Sequence, residues 1–308
     1  MTGGGKCGYI GPALKTISRR AFLGGAAAAA TGTVLAGPAR DRDKAADPVP
    51  SPRFTLGLAS YTFREFDLDA TLAAARRAGL GRITLKDMHL PLDSTEETIR
   101  ATVGKVRAQG LVPYGCGVVY MTNEAEVDRA FAYARAGGME IIIGVPEHAL
   151  LDQAERRVRE TGLRLAIHNH GPGDRRYPTP ASILERIARR DPRIGVCFDV
   201  GHCMRSGLDP AAEAIRLGPR ILDVHMKDVS AATAEGGTVE VGRGVIDIPR
   251  LLRALAEAGY RGTLAFEHEK DGKDPLPGLA ESVGYVRGAL AAMAGGPKPP
   301  GLNPGGRP

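Results

Sequence analysis

From Phe54 onward the chain alternates eight times between a short apolar run and a helical pattern. The runs fall at 54–61, 82–87, 111–120, 140–145, 163–168, 194–199, 221–226 and 262–267. Their length and β-branched content suit buried strands. Between them lie segments such as "DLDATLAAARRAGL", "TEETIRATVGKVRAQG" and "TPASILERIARR". In "DIPRLLRALAEAGY", Asp247 can cap, Ile248, Leu251, Leu252 and Leu255 recur at helical spacing, and Gly259 supplies a left-handed stop. Eight strand–helix units over roughly 240 residues predict a single (β/α)8 TIM barrel, an α/β fold. A doubly wound sheet is the alternative, but no Gly-x-Gly-x-x-Gly follows the first run, "FTLGLASYTFRE". With no Trp and only 5% aromatic residues, the core must be aliphatic.

A TIM barrel builds its active site from the C-terminal ends of its strands and the loops after them. All seven histidines fall there by sequence, and none falls in a predicted helix: His89, His148, His168, His170, His202, His225 and His268. A single histidine in such a place is ordinarily a satisfied surface or core residue; seven together predict convergence. Carboxylates arrive at the same rim, at Asp87, Glu147, Asp199, Asp228 and Glu267. Mixed imidazole and carboxylate donors with an open position suit a divalent cation. Asp199, His225 and Glu267 come from three consecutive strands and His168 from the strand before, so the four are expected to hold one ion above the barrel axis.

The motifs "HNHG", "FDVGH", "VHMKD", "GRGVIDIPRLLRAL" and "GYRGTLAFEHE" occur in the order and spacing of the sugar phosphate isomerase/epimerase family, the xylose isomerase-like barrels. The resemblance covers about residues 54–293. It implies a metal site of Glu, Asp, His and Glu from strands 5 to 8. Asp199, His225 and Glu267 match the last three, and His202 matches a histidine that contacts substrate or the metal shell. The first position departs from the pattern, because His168 stands where the family's epimerases carry Glu. Imidazole in place of carboxylate shifts preference from Mg towards Zn, Mn or Co.

The expected chemistry is proton abstraction beside the carbonyl of a small sugar, with the metal polarising the carbonyl and Glu267 or His202 taking the proton. Lys227 and Lys86 would stabilise developing charge or bind hydroxyls, and His89 and His170 would contact substrate. Two-glutamate epimerisation would need Glu147 to replace the missing base. Isomerase or epimerase activity is the first reading. A 3-keto-glycoside lyase or dehydratase is the alternative, and a degenerate, non-catalytic sugar-binding barrel is a third. A three-zinc apurinic-site endonuclease is excluded, because "YGCGVVYM" and "VEVGRG" lack its further ligands.

The N-terminus reads "ISRRAFLGGAAAAATGTVLAG" and resembles a twin-arginine export signal. Its apolar run of about 15 residues is shorter than a spanning helix requires. The expected division is a signal peptide at 1–36, a flexible leader at 37–52, the barrel at 53–294 and a disordered tail at 295–308. Export to the periplasm or beyond follows, with no stable membrane anchor after cleavage and a non-phosphorylated substrate. Residues 1–36 hold four basic and no acidic residues, so their loss lowers the net charge from +6 to +2. That balance gives no reason to expect a nucleic-acid partner, and the sequence leaves oligomerisation open. Cys116, Cys197 and Cys203 are too few and too scattered for a disulfide framework. Cys197 reads as a core residue, with a nucleophilic role for Cys203 the weaker reading.

Overall fold

The computed structural model describes residues 54–295. The expected signal and leader lie outside the described residues, as does the expected tail beyond Gly295. The strands are β1 (Thr55–Ala59), β2 (Arg82–Leu85), β3 (Val112–Met121), β4 (Ile141–Pro146), β5 (Arg164–His168), β6 (Ile194–Asp199), β7 (Ile221–Met226) and β8 (Thr263–Phe266). Each pairs in parallel with the next, and β1 pairs back onto β8 through Thr55–Thr263 to Leu58–Phe266, so the barrel closes. Every strand overlaps the run that predicted it. β4 and β6 are buried along their whole length, as parallel strands covered by helices must be.

The helices among the described residues are α1 (Leu68–Arg77), α2 (Glu96–Ala108), α3 (Glu124–Ala136), α4 (Leu151–Thr161), α5 (Pro180–Ile187), α6 (Val200–Arg205), α7 (Pro210–Leu217), α8 (Ile248–Glu257) and α9 (Leu276–Met293). They exceed the expected eight because α6 is an extra short helix wound directly onto the end of β6. It carries His202, while His148 opens a 3-10 turn, so two histidines lie in helical turns after all. In α8 the Asp247 side chain accepts the Arg250 N–H, and Gly259 follows at φ 81°, as its pattern required. A small antiparallel hairpin, Asp228–Val229 with Thr238–Val239, follows β7 and was not anticipated. No helix of the described residues is long and apolar enough to cross a membrane.

Register places the site. Asp199 stands opposite His225 across β6 and β7, and His225 stands opposite Ala265 across β7 and β8. His168 pairs with Cys197 across β5 and β6. Side chains alternate along a strand, so Cys197 shares a face with Asp199, and Asp223 with His225. The polar ends of four adjacent strands therefore meet on one side of the barrel.

Candidate metal centre

His168, Asp199, His225 and Glu267 each offer a ligand atom within 4.8 Å of the others, and all four are buried. His168 Nε2 lies 3.1 Å from His225 Nδ1 and 3.5 Å from Asp199 Oδ2, and His225 Nδ1 lies 3.2 Å from Glu267 Oε2. Tetrahedral bonds near 2.1 Å give donor–donor edges of about 3.4 Å, so these separations suit a first-row divalent ion. Two ring nitrogens facing each other at this range share one proton or one cation between them. Asp199 Oδ2 is completely buried and makes no well-aligned hydrogen bond, with the Lys227 ammonium at 3.1 Å as its nearest charge. The donor set fits a divalent cation, and the structure brings together the four residues expected from the sequence.

Two devices hold Asp199 in place. Its Oδ1 caps α6 by accepting the His202 N–H at 2.7 Å, which leaves Oδ2 for the site. The Asn169 side chain clamps its backbone, donating to Asp199 O at 2.9 Å and accepting from Asp199 N at 3.0 Å. Asn169 was overlooked as a functional residue. The signal was present in "HNH", a polar residue between two histidines at a strand end.

Lys227 is only 2% exposed. Its Nζ lies 3.1 Å from Asp199 Oδ2, 3.0 Å from Glu267 Oε2 and 2.5 Å from Glu269 Oε1. Its stem crosses Gly201, where an added Cβ would come within 2.9 Å of the lysine Cγ and Cδ. The glycine of "DVGH" is thus the space the lysine occupies. Burial opposes the ammonium, but the three carboxylates outweigh it and raise Lys227 well above its ordinary value. Burial likewise pushes the two ligand carboxyls up, yet His202 and Lys227 hold Asp199 well below the carboxylate range. His225 and Lys227 do the same for Glu267. Glu269 is the second residue the sequence reading missed. It stands two positions past Glu267, so strand alternation could have shown it.

Above these groups opens a cavity of about 360 Å³ lined by Tyr61, Lys86, Val118, Tyr120, His168, His170, His202, Glu267 and Glu269. His170 Nε2 meets the Tyr120 hydroxyl at 3.0 Å, and its Nδ1 approaches His168 Nδ1 at 3.4 Å. His202 Nδ1 accepts from Arg205 at 3.2 Å. A guanidinium can only donate, so a neutral His202 carries its proton on Nε2. Lys86 reaches the cavity but donates to Val118 O at 2.8 Å and pairs with Asp87 at 3.1 Å.

Two expected site residues, His89 and Glu147, belong neither to the donor cluster and its lysine nor to the lining of this cavity. His89 is turned inward, with Nδ1 bonded to Ser60 Oγ and Nε2 to the Phe63 and Phe66 carbonyls and Thr71 Oγ1. It ties β2 to the turn after β1 and is a structural histidine, not a substrate contact. Glu147 pairs with Arg176 and does not line the cavity in which a second base would act. Asp228 accepts four backbone N–H groups, from Val229, Gly242, Gly244 and Ile246, and organises the loop after β7. His148 bonds to Arg176 O, and His268 is buried beside Gly278. Four of the seven histidines therefore converge. Cys203 and Cys197 are buried thiols, with burial pushing Cys197 up to about 12 and Cys203 also upward, so neither is poised as a nucleophile.

Residues 148–289 match the xylose isomerase-like TIM barrel family. The matched stretch carries all four residues of the donor cluster. The rhizopine catabolism protein MocC of Rhizobium meliloti is 34% identical over 162 residues, covering 48% of this chain and 49% of that protein. An inosose dehydratase of Lacticaseibacillus casei is 31% identical over 138 residues, covering 39% and 45%. The chain thus spans about half the length of the curated relatives it matches. Among solved structures, the crystal structure of IOLI protein with a bound zinc atom superposes with a TM-score of 0.63 at 16% identity. That alignment covers 78% of this chain and 98% of that one and speaks for the fold.

Burial also fixes how the metal-free barrel responds to acid. It lowers the proton affinity of His89, His170, His202 and His268, and pushes His168 down from 6.5 to about 3. The unfolded chain binds protons on these residues below about pH 6.5, and the folded chain does not. Their contribution is full above that value and is lost as pH falls through it towards each residue's lowered folded value. His225 acts oppositely, because Cys197 and Glu267 overcome its burial and raise it well above 6.5. Asp223, which burial pushes up to about 7, also acts oppositely, because the folded chain takes up its proton as pH falls through that value and the unfolded chain does not. Five imidazoles against these two groups set the sign. The melting temperature of chelator-treated protein is expected to drop by several degrees between about pH 7.5 and about pH 5, as calorimetry would show. A flat profile would mean that these imidazoles are hydrated.

Proposed function

We propose that this protein is a divalent-metal-dependent lyase that eliminates water from an unphosphorylated cyclic polyol ketone. The observation that carries the reading is the donor cluster of His168, Asp199, His225 and Glu267 opening into a cavity whose other polar groups are hydroxyls, imidazoles, a second carboxylate and the Lys86 ammonium. Isomerase or epimerase chemistry shares the same first step. The relatives named for dehydration and for rhizopine catabolism favour elimination, and the second glutamate lining the cavity, Glu269, is tied to Lys227 together with Glu267.

A divalent ion held by the four residues would polarise the ketone and acidify the neighbouring C–H. Glu267 takes the α-proton, its electron pair forms the new C=C bond, and the C–O bond at the β-carbon breaks. The departing hydroxyl takes up the proton and leaves as water. His202 is suited to steady it, because Arg205 fixes the Nε2–H tautomer on the cavity side. Tyr61 and Tyr120 line the cavity, and their rings are the apolar surface available to the C–H side of a cyclic substrate. Lys86 is the one cationic side chain, lysine or arginine, among the lining residues, and it is already partnered. Two glutamates line the same space, so a phosphate dianion would be repelled.

The test is proton NMR in D2O of protein loaded with Mn or Co, mixed with an inosose or with a 3-keto-glucoside. The expected result is loss of one ring C–H together with formation of an unsaturated ketone. Deuterium uptake without loss of water would restore the isomerase reading. No exchange with either ketone would overturn the lyase reading and leave a sugar-binding barrel.

A further inference from the structure

Beneath the donor cluster, β7 carries a carboxylate that the proposed chemistry does not use. Asp223 lies two residues before His225 on the same face of the strand and is 1% exposed. Tyr114, reaching across from β3, donates its hydroxyl to both Asp223 oxygens, at 3.2 and 3.3 Å, and the Cys197 thiol stands 3.9 Å away. Neither neighbour balances a charge. Among the described residues, the one basic group within 4.0 Å is His225, whose Nε2 lies 4.0 Å from Asp223 Oδ2. That Nε2 is itself buried without a hydrogen-bond partner, while Nδ1 of the same ring faces Glu267 and His168.

We propose that Asp223 is the positioning residue of His225: it accepts the Nε2–H, so that Nδ1 presents its lone pair to the cation. Closing 4.0 Å to a hydrogen bond of about 2.9 Å needs only a small tilt of the imidazole. Metal-bound histidines ordinarily donate their other N–H to such an acceptor, which fixes both tautomer and ring orientation. Tyr114 acts one step further back by holding the carboxylate in plane. The inference rests on the metal reading of the site for its affinity consequence, but not for the hydrogen bond.

The experiment compares wild type with D223L and D223N. In metal-free protein with 15N-labelled histidine, the His225 Nε2 proton is expected as a slowly exchanging downfield resonance. D223L should abolish it, and D223N, which keeps a carbonyl oxygen, should retain it at reduced intensity. In Co2+ titrations read by the visible spectrum, D223L should bind roughly 10- to 100-fold more weakly, with D223N between the two. Melting temperatures of the metal-free proteins should stay close together, because the role is in aiming and not in packing. An Nε2 without a proton, or a resonance unchanged in D223L, would overturn the inference. So would a Co2+ affinity of D223L equal to that of wild type. A wild type that binds no Co2+ but shows the protected proton would instead remove the metal reading and keep the Asp223–His225 bond.

Discussion

Glu267→Gln is expected to cut turnover of a cyclic polyol ketone by about three orders of magnitude, with the barrel still folded. Glu267 Oε2 lies within 3.2 Å of His225 Nδ1 and 3.0 Å of the Lys227 ammonium. Gln keeps the shape but offers a weaker donor to a cation and no basic site for the α-proton. Two losses are therefore superposed, and excess metal separates them. With Mn or Co saturating, the affinity loss is masked and the remaining fall in kcat reports proton transfer. Circular dichroism checks the fold. A variant that recovers to within tenfold of wild type at saturating metal would show that Glu267 is only a ligand. The base would then be sought at Glu269, the other carboxylate lining the cavity.

The barrel was legible because it repeats. Eight similar units each carry the same strand–helix signal, and a boundary error of a residue or two in one leaves the count intact. The donor cluster was legible because a strand end fixes a position in space: His168, Asp199, His225 and Glu267 terminate adjacent strands or lie one residue from their ends. Strand ends do not fix direction. His89 follows β2 as the pattern required, yet the turn after β1 captures both its ring nitrogens. Glu147 follows β4, but Arg176, from a distant loop, pairs with it. Asn169, Tyr120 and Glu269 were missed for the same reason in reverse. Their roles depend on which neighbouring loop or strand offers a partner, and that is a property of the closed barrel. The extra helix α6 escaped notice because six residues are too few for an amphipathic period to show.

The exchange of glutamate for His168 makes sense once Lys227 is counted with the site. Asp199, Glu267 and Glu269 bring three negative charges and Lys227 one positive, so the cluster with neutral histidines carries −2 and a divalent ion balances it. A glutamate at 168 would leave the same site one charge short. Lys227→Met is accordingly expected to destabilise the metal-free protein strongly and to make its stability depend on metal. Removing one partner of a buried ion network costs about 3–5 kcal/mol, because the remaining charges stay buried without compensation. For a domain of this size that is a fall in melting temperature on the order of 10 °C. Met fills the channel over Gly201, so the loss reports charge and not a cavity. The three carboxylates left behind should then draw a divalent ion more tightly than in wild type, and stabilisation by a bound ion grows with its affinity. Scanning calorimetry of both proteins, with chelator and with a fixed excess of Mn, measures the two effects together. The expected pattern is a large gap with chelator that narrows when Mn is added. If the chelated variant melted within about 2 °C of wild type, the buried ammonium would not be neutralising this cluster. If Mn raised both proteins equally, lysine and metal would not share the same carboxylates, and the charge argument for His168 would fall with it.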